Sequence, residues 1–294
     1  MFDAIKYCEE NNIDYWVEGA KNVSRGWIGI TCPFCDDTSN HLGIELNTGK
    51  CVCWKCGGKS LWKVISTLTP HIKAKETIDN YSWFTETEKE TENYRGLKEI
   101  EVPGYKPLIK PYKEYLFKRG FDPDYLSAKY DLRYGLPYTQ YQYRLIIPVK
   151  YKNKIVSYQT RRVFDNNSIR YKNCKISDSV IQNKHLCYNL DNCCNRQAIG
   201  VEGVTDVWRL GDNSFATFGT SFTDQQLLVI KKHFDTVYWL YDPGVESLKK
   251  AKEAAYKLSG IGLSVEIIQI DGINDPGSMN EKDVIELKKE LRVY

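Results

Sequence analysis

Two pairs of cysteines near the amino terminus constrain the fold of this chain more than any other feature. Cys32 and Cys35 form one Cys-x₂-Cys motif, Cys53 and Cys56 form a second, and 17 residues separate the two motifs. Thiolates paired at this spacing are typical of a tetrahedral zinc site. The chain has ten cysteines, and its start shows no secretory signal, so we expect metal-binding thiols rather than disulfides.

The segment between the two motifs predicts a zinc ribbon. Residues 42–46 and 50–53 alternate like the strands of a hairpin, and Asn47-Thr48-Gly49 supplies the turn. Cys51 is an alternative ligand to Cys53. We prefer Cys53 because it keeps the two-residue spacing to Cys56.

The last third of the chain alternates short apolar runs with helical patterns, which predicts a parallel sheet. In such sheets, ligand-binding and catalytic residues lie at the carboxyl ends of the strands. Oxygen ligands gathered there suit a hard cation such as Mg²⁺. Each of three apolar runs leads to an acid: Glu202 after 199–201, Asp242 after 236–241 and Asp275 after 263–270.

Charge is unevenly distributed along the chain. The formal net charge is +3 overall, but residues 101–190 carry +10 and residues 191–294 carry −4. A basic block beside an acidic block that contains candidate metal ligands indicates a surface for phosphate groups next to a cation site. Residues 75–100 are polar and acidic, with a net charge of −3, and predict a flexible tether. No apolar run approaches the 18 residues of a membrane span.

The motifs of the last third resemble the Toprim domain of bacterial and phage DNA primases. Val201-Glu202-Gly203 with Asp206, residues 215–222, Asp242-Pro243-Gly244 and Asp275-Pro276-Gly277 follow one another in the order of that family. The chain departs from the family at Gly244 and Gly277, where further acids are common. Losing carboxylates weakens metal binding, and Glu246 is a candidate replacement.

The cysteine-rich segment resembles the amino-terminal zinc domain of the same primases, which helps to choose the start site on single-stranded template. The resemblance implies that some exposed side chains of this segment stack on or pair with unstacked bases. Packing within a small ribbon is the alternative for the tryptophans, and zinc ligation is an alternative for the histidine. The candidates are Arg25, Trp27, His41, Trp54 and Lys55.

The basic block resembles the amino-terminal half of the primase polymerase core. By position, the resemblance gives roles on template and nucleotide phosphates to Arg144, Arg161, Arg170, Asn173 and Lys184. The fork geometry of arginine suits phosphate oxygens, and the interleaved tyrosines offer stacking surfaces. We favour Arg161, Arg170 and Lys184 over the lysines at 150–154, which are typical of a solvated turn.

The resemblance implies an α/β chain with a Cys₄ zinc ribbon, a linker and a primase core. The core has a mixed α/β amino-terminal subdomain and a Toprim α/β subdomain. The expected boundaries are 1–68 for the ribbon, 69–107 for the linker, 108–195 for the basic subdomain and 196–294 for the Toprim subdomain.

The implied activity is synthesis of short RNA primers on single-stranded DNA by two-metal nucleotidyl transfer. Zn²⁺ is structural, and Mg²⁺ or Mn²⁺ is held by Glu202, Asp242 and Asp275. Glu202 alternatively accepts the hydroxyl proton, and Asp206, one helical turn further on, supports the site or adds a ligand. The implied partners are single-stranded DNA template, NTPs, RNA primer and a separate replicative helicase. The expected location is the bacterial or phage-infected cytoplasm.

Two other functions are consistent with parts of the sequence. A catalytically weakened primase relative that binds DNA or a helicase is favoured by Gly244 and Gly277. A Toprim nuclease or topoisomerase fragment is disfavoured by the zinc ribbon and the basic block. The sequence contains no Gly-x₄-Gly-Lys-Ser/Thr loop, so a fused P-loop helicase is not expected.

Overall fold

Three β-sheets divide the chain in sequence order. The computed structural model describes residues 2–37, 39–70, 72–82, 97–164, 169–219, 222–241, 244–270 and 275–294. A five-stranded sheet comes first, followed by two four-stranded sheets. Within those ranges, no helix is long and apolar enough to cross a bilayer.

The amino-terminal sheet is antiparallel throughout, with its five strands in sequence order. Ser60 caps the helix that follows the sheet by accepting a hydrogen bond from the backbone N–H of Lys63. This zinc module comprises α1 (Ala4–Glu10), β1 (Tyr15–Trp16), β2 (Trp27–Ile30), β3 (Leu42–Glu45), β4 (Cys51–Cys53), β5 (Gly57–Lys59), α2 (Leu61–Leu68) and α3 (Ala74–Asn80).

The linker expected at 69–107 differs from the structure at both ends. Helix α3 lies inside that range and packs Ala74 and Ile78 into the core of the zinc module. Leu97 and Val102 are buried in the following subdomain. The sequence did not predict this short amphipathic helix, because Ala74 and Ile78 are its only apolar residues. Without those two residues, the segment would have the composition of a solvated loop. Residues 83–96 lie outside the described ranges.

The middle sheet is antiparallel and is preceded by two helices. Asp122 caps the second helix by accepting hydrogen bonds from the N–H groups of Asp124 and Tyr125. A long hairpin turns at residues 152–153, with Arg144 opposite Arg162 at its open end. The elements are α4 (Lys110–Lys118), α5 (Pro123–Tyr130), β6 (Arg133–Tyr134), β7 (Arg144–Tyr151), β8 (Lys154–Arg162) and β9 (Tyr171–Asn173).

The third sheet is parallel, as the alternating pattern predicted. Its order is β11-β10-β12-β13, so the carboxyl ends of β10 and β12 lie side by side at its centre. The elements are β10 (Gln197–Val201), α6 (Val204–Leu210), β11 (Ser214–Ala216), α7 (Asp224–His233), β12 (Thr236–Leu240), α8 (Val245–Gly260), β13 (Ser264–Ile268) and α9 (Glu281–Leu291).

One hydrophobic core joins the middle and parallel subdomains. Phe121, at the end of the α4 helical segment, packs edge-on against Trp208 of α6 with ring centroids 5.9 Å apart. Tyr130 of α5 also packs against Trp208, at 6.2 Å. This shared core fixes the relative positions of the basic and acidic halves of the chain.

The zinc module contacts the parallel subdomain along α7 and α8. Lys231 lies 2.8 Å from Asp79, and Lys75 forms an ion pair with Asp235. Arg196 donates two hydrogen bonds to the same Asp235 carboxylate, and these partners lower the pKa of Asp235 to about 2. Close backbone packing completes the contact, because an added Cβ at Gly260 would lie 2.6 Å from the carbonyl oxygen of Thr48.

We expect Gly260→Val to release the zinc module from α8. The added side chain overlaps the Thr48 backbone, and the exposed ion pairs around it are each worth only about 0–1 kcal/mol. Small-angle X-ray scattering should show a larger radius of gyration than for the wild-type chain, with unchanged zinc content. An unchanged radius would mean that other contacts hold the module in place.

Candidate metal centre and active-site cleft

The four predicted zinc ligands converge in the structure. The sulfurs of Cys32, Cys35, Cys53 and Cys56 all lie within 4.8 Å of one another. Cys32 Sγ is 3.6 Å from Cys56 Sγ, and Cys35 Sγ is 3.8 Å from Cys53 Sγ. Four sulfurs at about 2.3 Å from a tetrahedral zinc lie about 3.8 Å apart. The residues therefore fit a structural Zn²⁺, as predicted.

Backbone donors to one buried carboxylate shape the first cysteine motif. The Asp37 carboxylate accepts hydrogen bonds from the N–H groups of Cys32 (2.9 Å), Ser39 (2.8 Å) and His41 (2.7 Å). Its side chain is fully buried, and burial alone would raise its pKa, but these donors lower it overall. Asp37 thus fixes the turn that carries the first pair of thiols.

The alternatives for the zinc ligands are also resolved. Cys51 is fully buried and directs its thiol to the carbonyl oxygen of Gly49, so it is not part of the sulfur cluster. His41 places Nδ1 2.9 Å from Oδ1 of Asp37, outside the same cluster. The preference for Cys53, based on its two-residue spacing to Cys56, agrees with the structure.

Three of the four predicted catalytic acids meet at the carboxyl edge of the parallel sheet. Glu202, Asp206 and Asp275 line one cleft of about 320 Å³. Glu202 follows β10, and its backbone carbonyl accepts a hydrogen bond from Gly219. Asp206 lies in the first turn of α6 and accepts from the N–H of Gly203 at 2.9 Å. The fourth acid, Asp242, lies outside the described residues.

The described residue before Asp242 is already close to Glu202. The Tyr241 hydroxyl is hydrogen-bonded to Oγ1 of Thr217 at 3.1 Å. Burial raises the pKa of Tyr241, and the negative charge of Glu202 raises it further. The end of β12 therefore delivers the chain beside the first acid of the cleft.

Gly277 leaves the space between two of the acids open. An added Cβ there would lie 2.8 Å from Oδ1 of Asp206 and 3.1 Å from Oδ1 of Asp275. Both carboxylates thus flank the same point. The N–H of Gly277 also donates to Oδ1 of Asp275 at 2.8 Å, which orients that carboxylate.

Arginines face the acids across the cleft. Arg119, Arg161 and Arg170 all line it. Arg161 is 3% exposed, donates from Nε to the Tyr115 hydroxyl at 2.5 Å and forms a further hydrogen bond with the Tyr171 hydroxyl. Burial lowers the pKa of Arg161. The same cleft is therefore lined by carboxylates and by a guanidinium that two tyrosine hydroxyls hold in place.

Arg144 was expected to contact template or nucleotide phosphates, but its side chain is buried and does not line the cleft. Its side chain is 2% exposed and donates to the carbonyl oxygens of Ile169 (2.6 Å) and Arg170 (3.4 Å) and to Oγ1 of Thr160 (3.3 Å). These contacts leave it inside the protein, where it supports the segment that carries Arg170. The charge of Arg144 was visible in the sequence, but its burial between two strands was not.

Asn173 and Lys184 also lie outside the set of cleft-lining residues. The Asn173 amide oxygen accepts hydrogen bonds from Gln159 (2.9 Å) and Asn183 (3.1 Å), and Gln159 lines the cleft. Lys184 is exposed on a 3₁₀ turn, and its backbone carbonyl accepts from Thr223. Asn173 thus positions a neighbour of the site.

The sequence analysis did not single out Arg209 of α6. Its guanidinium stacks on Phe121 at 4.5 Å from the ring centroid. Nε donates to the carbonyl oxygen of Gly277 at 3.2 Å, and Nη1 and Nη2 donate to the carbonyls of Gly120 and Arg119. This side chain ties the loop that carries Asp275 to the end of the basic helix α4. A lone arginine in an amphipathic helix gives no sequence signal for such a role.

We expect Arg209→Ala to lower both stability and activity, because it frees the Asp275 loop from the basic subdomain. Loss of the hydrogen bonds and the stacking contact should destabilise the chain by about 2 kcal/mol. Thermal unfolding and metal-dependent activity should report the two effects. Arg209→Lys keeps the charge without the planar fork and should recover only part of either. Full recovery by lysine would mean that charge alone matters.

The fold and the site together define an architecture: a four-cysteine ribbon joined to a mixed α/β core whose parallel sheet borders an acidic cleft. No protein-family model matches the chain. A DNA primase of Halalkalibacterium halodurans is 27% identical over 168 residues, which cover 53% of this chain and 28% of that protein. The chain thus matches less than a third of the length of this curated relative.

Solved primase structures share the fold. The zinc-binding and RNA polymerase domains of the Aquifex aeolicus primase match 99% of this chain and 81% of that chain, with 21% identity and a TM-score of 0.52. A DnaG primase catalytic domain bound to single-stranded DNA matches 63% of this chain and 73% of that chain, with 20% identity and a TM-score of 0.52. These matches confirm the expected fold class, and together with the relative from H. halodurans they support the resemblance to DNA primases.

Proposed function

We propose that the chain is a DNA primase that synthesises short RNA primers on single-stranded DNA. The observation that carries the proposal is the cleft in which Glu202, Asp206 and Asp275 face Arg119, Arg161 and Arg170. Phosphoryl transfer depends mainly on positioning and on electrostatic stabilisation of developing negative charge. A cleft with both acids and arginines supports that chemistry.

The acids that line the cleft are the proposed ligands of a divalent cation. Among the described residues, only the four cysteines already form a group with three or more ligand atoms within 4.8 Å of one another, so the carboxylates would have to move together to share an ion. Glu202, Asp206 and Asp275 would hold Mg²⁺ or Mn²⁺, with Asp242 as a further proposed ligand. When bound, the cation neutralises charge on the transferring phosphoryl group and lowers the pKa of the attacking hydroxyl. Glu202 is the proposed metal ligand or acceptor of that hydroxyl proton.

The arginines of the cleft would bind the anionic substrate groups. Arg161 is held by the Tyr115 and Tyr171 hydroxyls, so its guanidinium needs little reordering when a phosphate binds. Arg170 is exposed and lies on the segment that Arg144 supports. We propose that Arg119, Arg161 and Arg170 contact phosphates of the nucleotide or of the template.

The proposed partners follow from this activity. They are single-stranded DNA template, NTPs, the RNA primer and a separate replicative helicase. The DnaG structure with bound single-stranded DNA supports the first of these for the shared fold. Structural Zn²⁺ in the four-cysteine centre would hold the zinc module together.

A primer-synthesis assay tests the proposal. Purified chain is incubated with single-stranded DNA of mixed sequence, labelled NTPs and either Mg²⁺ or Mn²⁺. We expect labelled oligoribonucleotides that require both the DNA and the divalent cation. No product with either ion on any template would overturn the proposal, as would product formed without template.

A second function, a catalytically weakened primase relative that binds DNA, is favoured by Gly244 and Gly277. At position 277 the side chain of an acid would have to displace Asp206 or Asp275, so this chain has no room for a further carboxylate there without a shift of those two. DNA binding without synthesis in the same assay would favour this second function.

A further inference from the structure

Helix α8 carries an apolar stripe that is not part of the protein's core. Most of the residues that the helix buries are small, such as Ala251 and Ala254. Val245, Leu248 and Tyr256 lie on another side, at positions i, i+3 and i+11 of one helix face. Val245 is 90% exposed, and none of the three belongs to a hydrophobic core of the described residues.

The apolar stripe forms one wall of a groove of about 550 Å³. The opposite wall is the hairpin that joins β3 and β4 in the zinc module, which contributes Glu45, Thr48 and Lys50. We call this space the α8 groove. Because its two walls come from different parts of the chain, the groove is complete only when the zinc module is docked on α8.

The α8 groove is basic. Its two glutamates each have a partner, since Glu45 accepts a hydrogen bond from the Thr48 hydroxyl at 2.5 Å and Glu253 lies 3.8 Å from Lys257. Lys249 and Lys252 are exposed, and neither pairs with a carboxylate in the described part of the chain. The groove therefore offers cations that no acid of the protein neutralises. Its lysines are Lys50, Lys249, Lys252 and Lys257.

Apolar side chains between lysines favour a peptide as the ligand. Val245 and Leu248 are aliphatic, so they can bury apolar side chains of a ligand but offer no ring on which a base would stack. The lysines beside them attract carboxylates. From Val245 to Tyr256 the helix rises about 16 Å, the length of about three helical turns or five extended residues. A short peptide with both apolar and acidic side chains fits this surface.

We propose that the α8 groove docks an acidic, amphipathic segment of a partner protein. Apolar side chains of the segment pack on Val245 and Leu248, and its carboxylates face Lys249 and Lys252. The segment contacts both walls, so its binding favours the docked position of the zinc module. The proposal goes beyond the function proposed above, because it concerns a protein ligand and needs neither DNA nor NTPs.

Fluorescence anisotropy with a labelled peptide of about four helical turns tests the proposal on the full chain. The peptide has leucines at i, i+3 and i+4 spacing and glutamates at the other positions, and a scrambled peptide has the same composition without the leucine stripe. We expect the first peptide to bind at least about tenfold more tightly than the second. Equal affinities, or no binding of either peptide, would overturn the proposal.

Two double variants separate the apolar contribution from the charged one. Val245→Ser with Leu248→Ser should weaken peptide binding about tenfold at every salt concentration, because it removes the apolar stripe. Lys249→Ala with Lys252→Ala should weaken binding about tenfold at low salt and much less in about 1 M NaCl, where the charges are screened. Unchanged affinity in either variant at low salt would contradict the proposal.

Helix α9 offers matched controls for both double variants. Ile285 is 60% exposed, and Lys282 and Lys289 are exposed on the same helix. Ile285→Ser, and Lys282→Ala with Lys289→Ala, should therefore bind the peptide as the wild-type chain does. Losses as large as those of the groove variants would show that the peptide has no preference for the groove.

Gly260→Val tests whether both walls are needed. This variant is expected to undock the zinc module, so it should weaken peptide binding about as much as either groove variant. Wild-type affinity in a variant that scattering shows to be undocked would contradict the proposal.

Single-stranded nucleic acid is the other class of ligand that a basic groove could accept. A labelled oligothymidylate should bind the wild-type chain and the Val245→Ser, Leu248→Ser variant equally well. If the variant instead loses as much affinity for the oligonucleotide as for the peptide, the groove belongs to nucleic acid and the proposal is overturned.

Two further occupants come from the protein itself. A second copy would make the chain self-associate, so sedimentation velocity should show a monomer, and a dimer that the Val245→Ser, Leu248→Ser variant abolishes would overturn the proposal. Residues 83–96 contain four glutamates against one lysine and one arginine. Replacing those glutamates by glutamine should leave peptide affinity unchanged, and a large increase would identify that segment as the occupant instead of a partner.

Discussion

Glu202→Gln is expected to reduce primer synthesis at least about 100-fold. The substitution keeps the size of the side chain and removes the negative charge that neighbours Tyr241 and faces the cleft. A 100-fold loss corresponds to about 2.7 kcal/mol of transition-state stabilisation, which is within the range for removing one preorganised electrostatic contact. Initial rates of labelled oligoribonucleotide formation, at saturating NTP and Mg²⁺, measure the effect.

Glu246→Gln is the matched control for that experiment. Glu246 lies in the first turn of α8, and its side chain is 83% exposed and 3.7 Å from Lys250. This position does not support the idea that Glu246 replaces a missing ligand, so we expect unchanged activity. Comparable losses in both variants would instead place Glu246 in the metal site. Full activity in Glu202→Gln would remove Glu202 from the mechanism.

Cys35→Ser is expected to unfold the zinc module. Zinc binding contributes about 10–16 kcal/mol to small zinc-dependent folds, which is as large as the whole stability of a typical domain. The module has a small core of its own, and the sulfur cluster joins its two cysteine turns. Zinc content should fall from one ion per chain to near zero, and proteolysis should cut within residues 1–82 while the remaining core persists.

Cys51→Ala is the control for zinc loss. Cys51 is fully buried on β4, two residues before Cys53, but its sulfur is not in the cluster. The variant should keep one zinc per chain and lose only a modest amount of stability from the small cavity. Zinc loss equal to that of Cys35→Ser would show that Cys51 is a ligand after all.

The parts of this protein that could be predicted from sequence depend on local spacing. The interval between Cys53 and Cys56 determines a turn, and the turn determines where two sulfurs point. The alternation of apolar runs and helices likewise predicted a parallel sheet, and topology alone then brings Glu202 and Asp275 to one edge. These inferences needed no knowledge of how distant segments pack.

The features that sequence did not reveal depend on tertiary packing. Arg144 and Arg161 lie on the two paired strands of one hairpin, one residue out of register, yet only Arg161 lines the cleft. Arg209 links two subdomains through backbone carbonyls, which any sequence can supply. The docking of the zinc module relies on Gly260 meeting the Thr48 backbone. Such contacts join residues that are far apart in the chain, so no periodicity signals them.

The two carboxylate oxygens of Asp206 lie in two different places. Oδ2 accepts the N–H of Gly203 and so begins helix α6, while Oδ1 flanks the open point beside Gly277. Asparagine at this position keeps an oxygen for the first task and lacks the charge for the second. In the proposed cation site, the start of the helix and the affinity for the cation would therefore be linked through a single side chain: a bound cation would stabilise the first turn of α6, and melting of that turn would weaken cation binding.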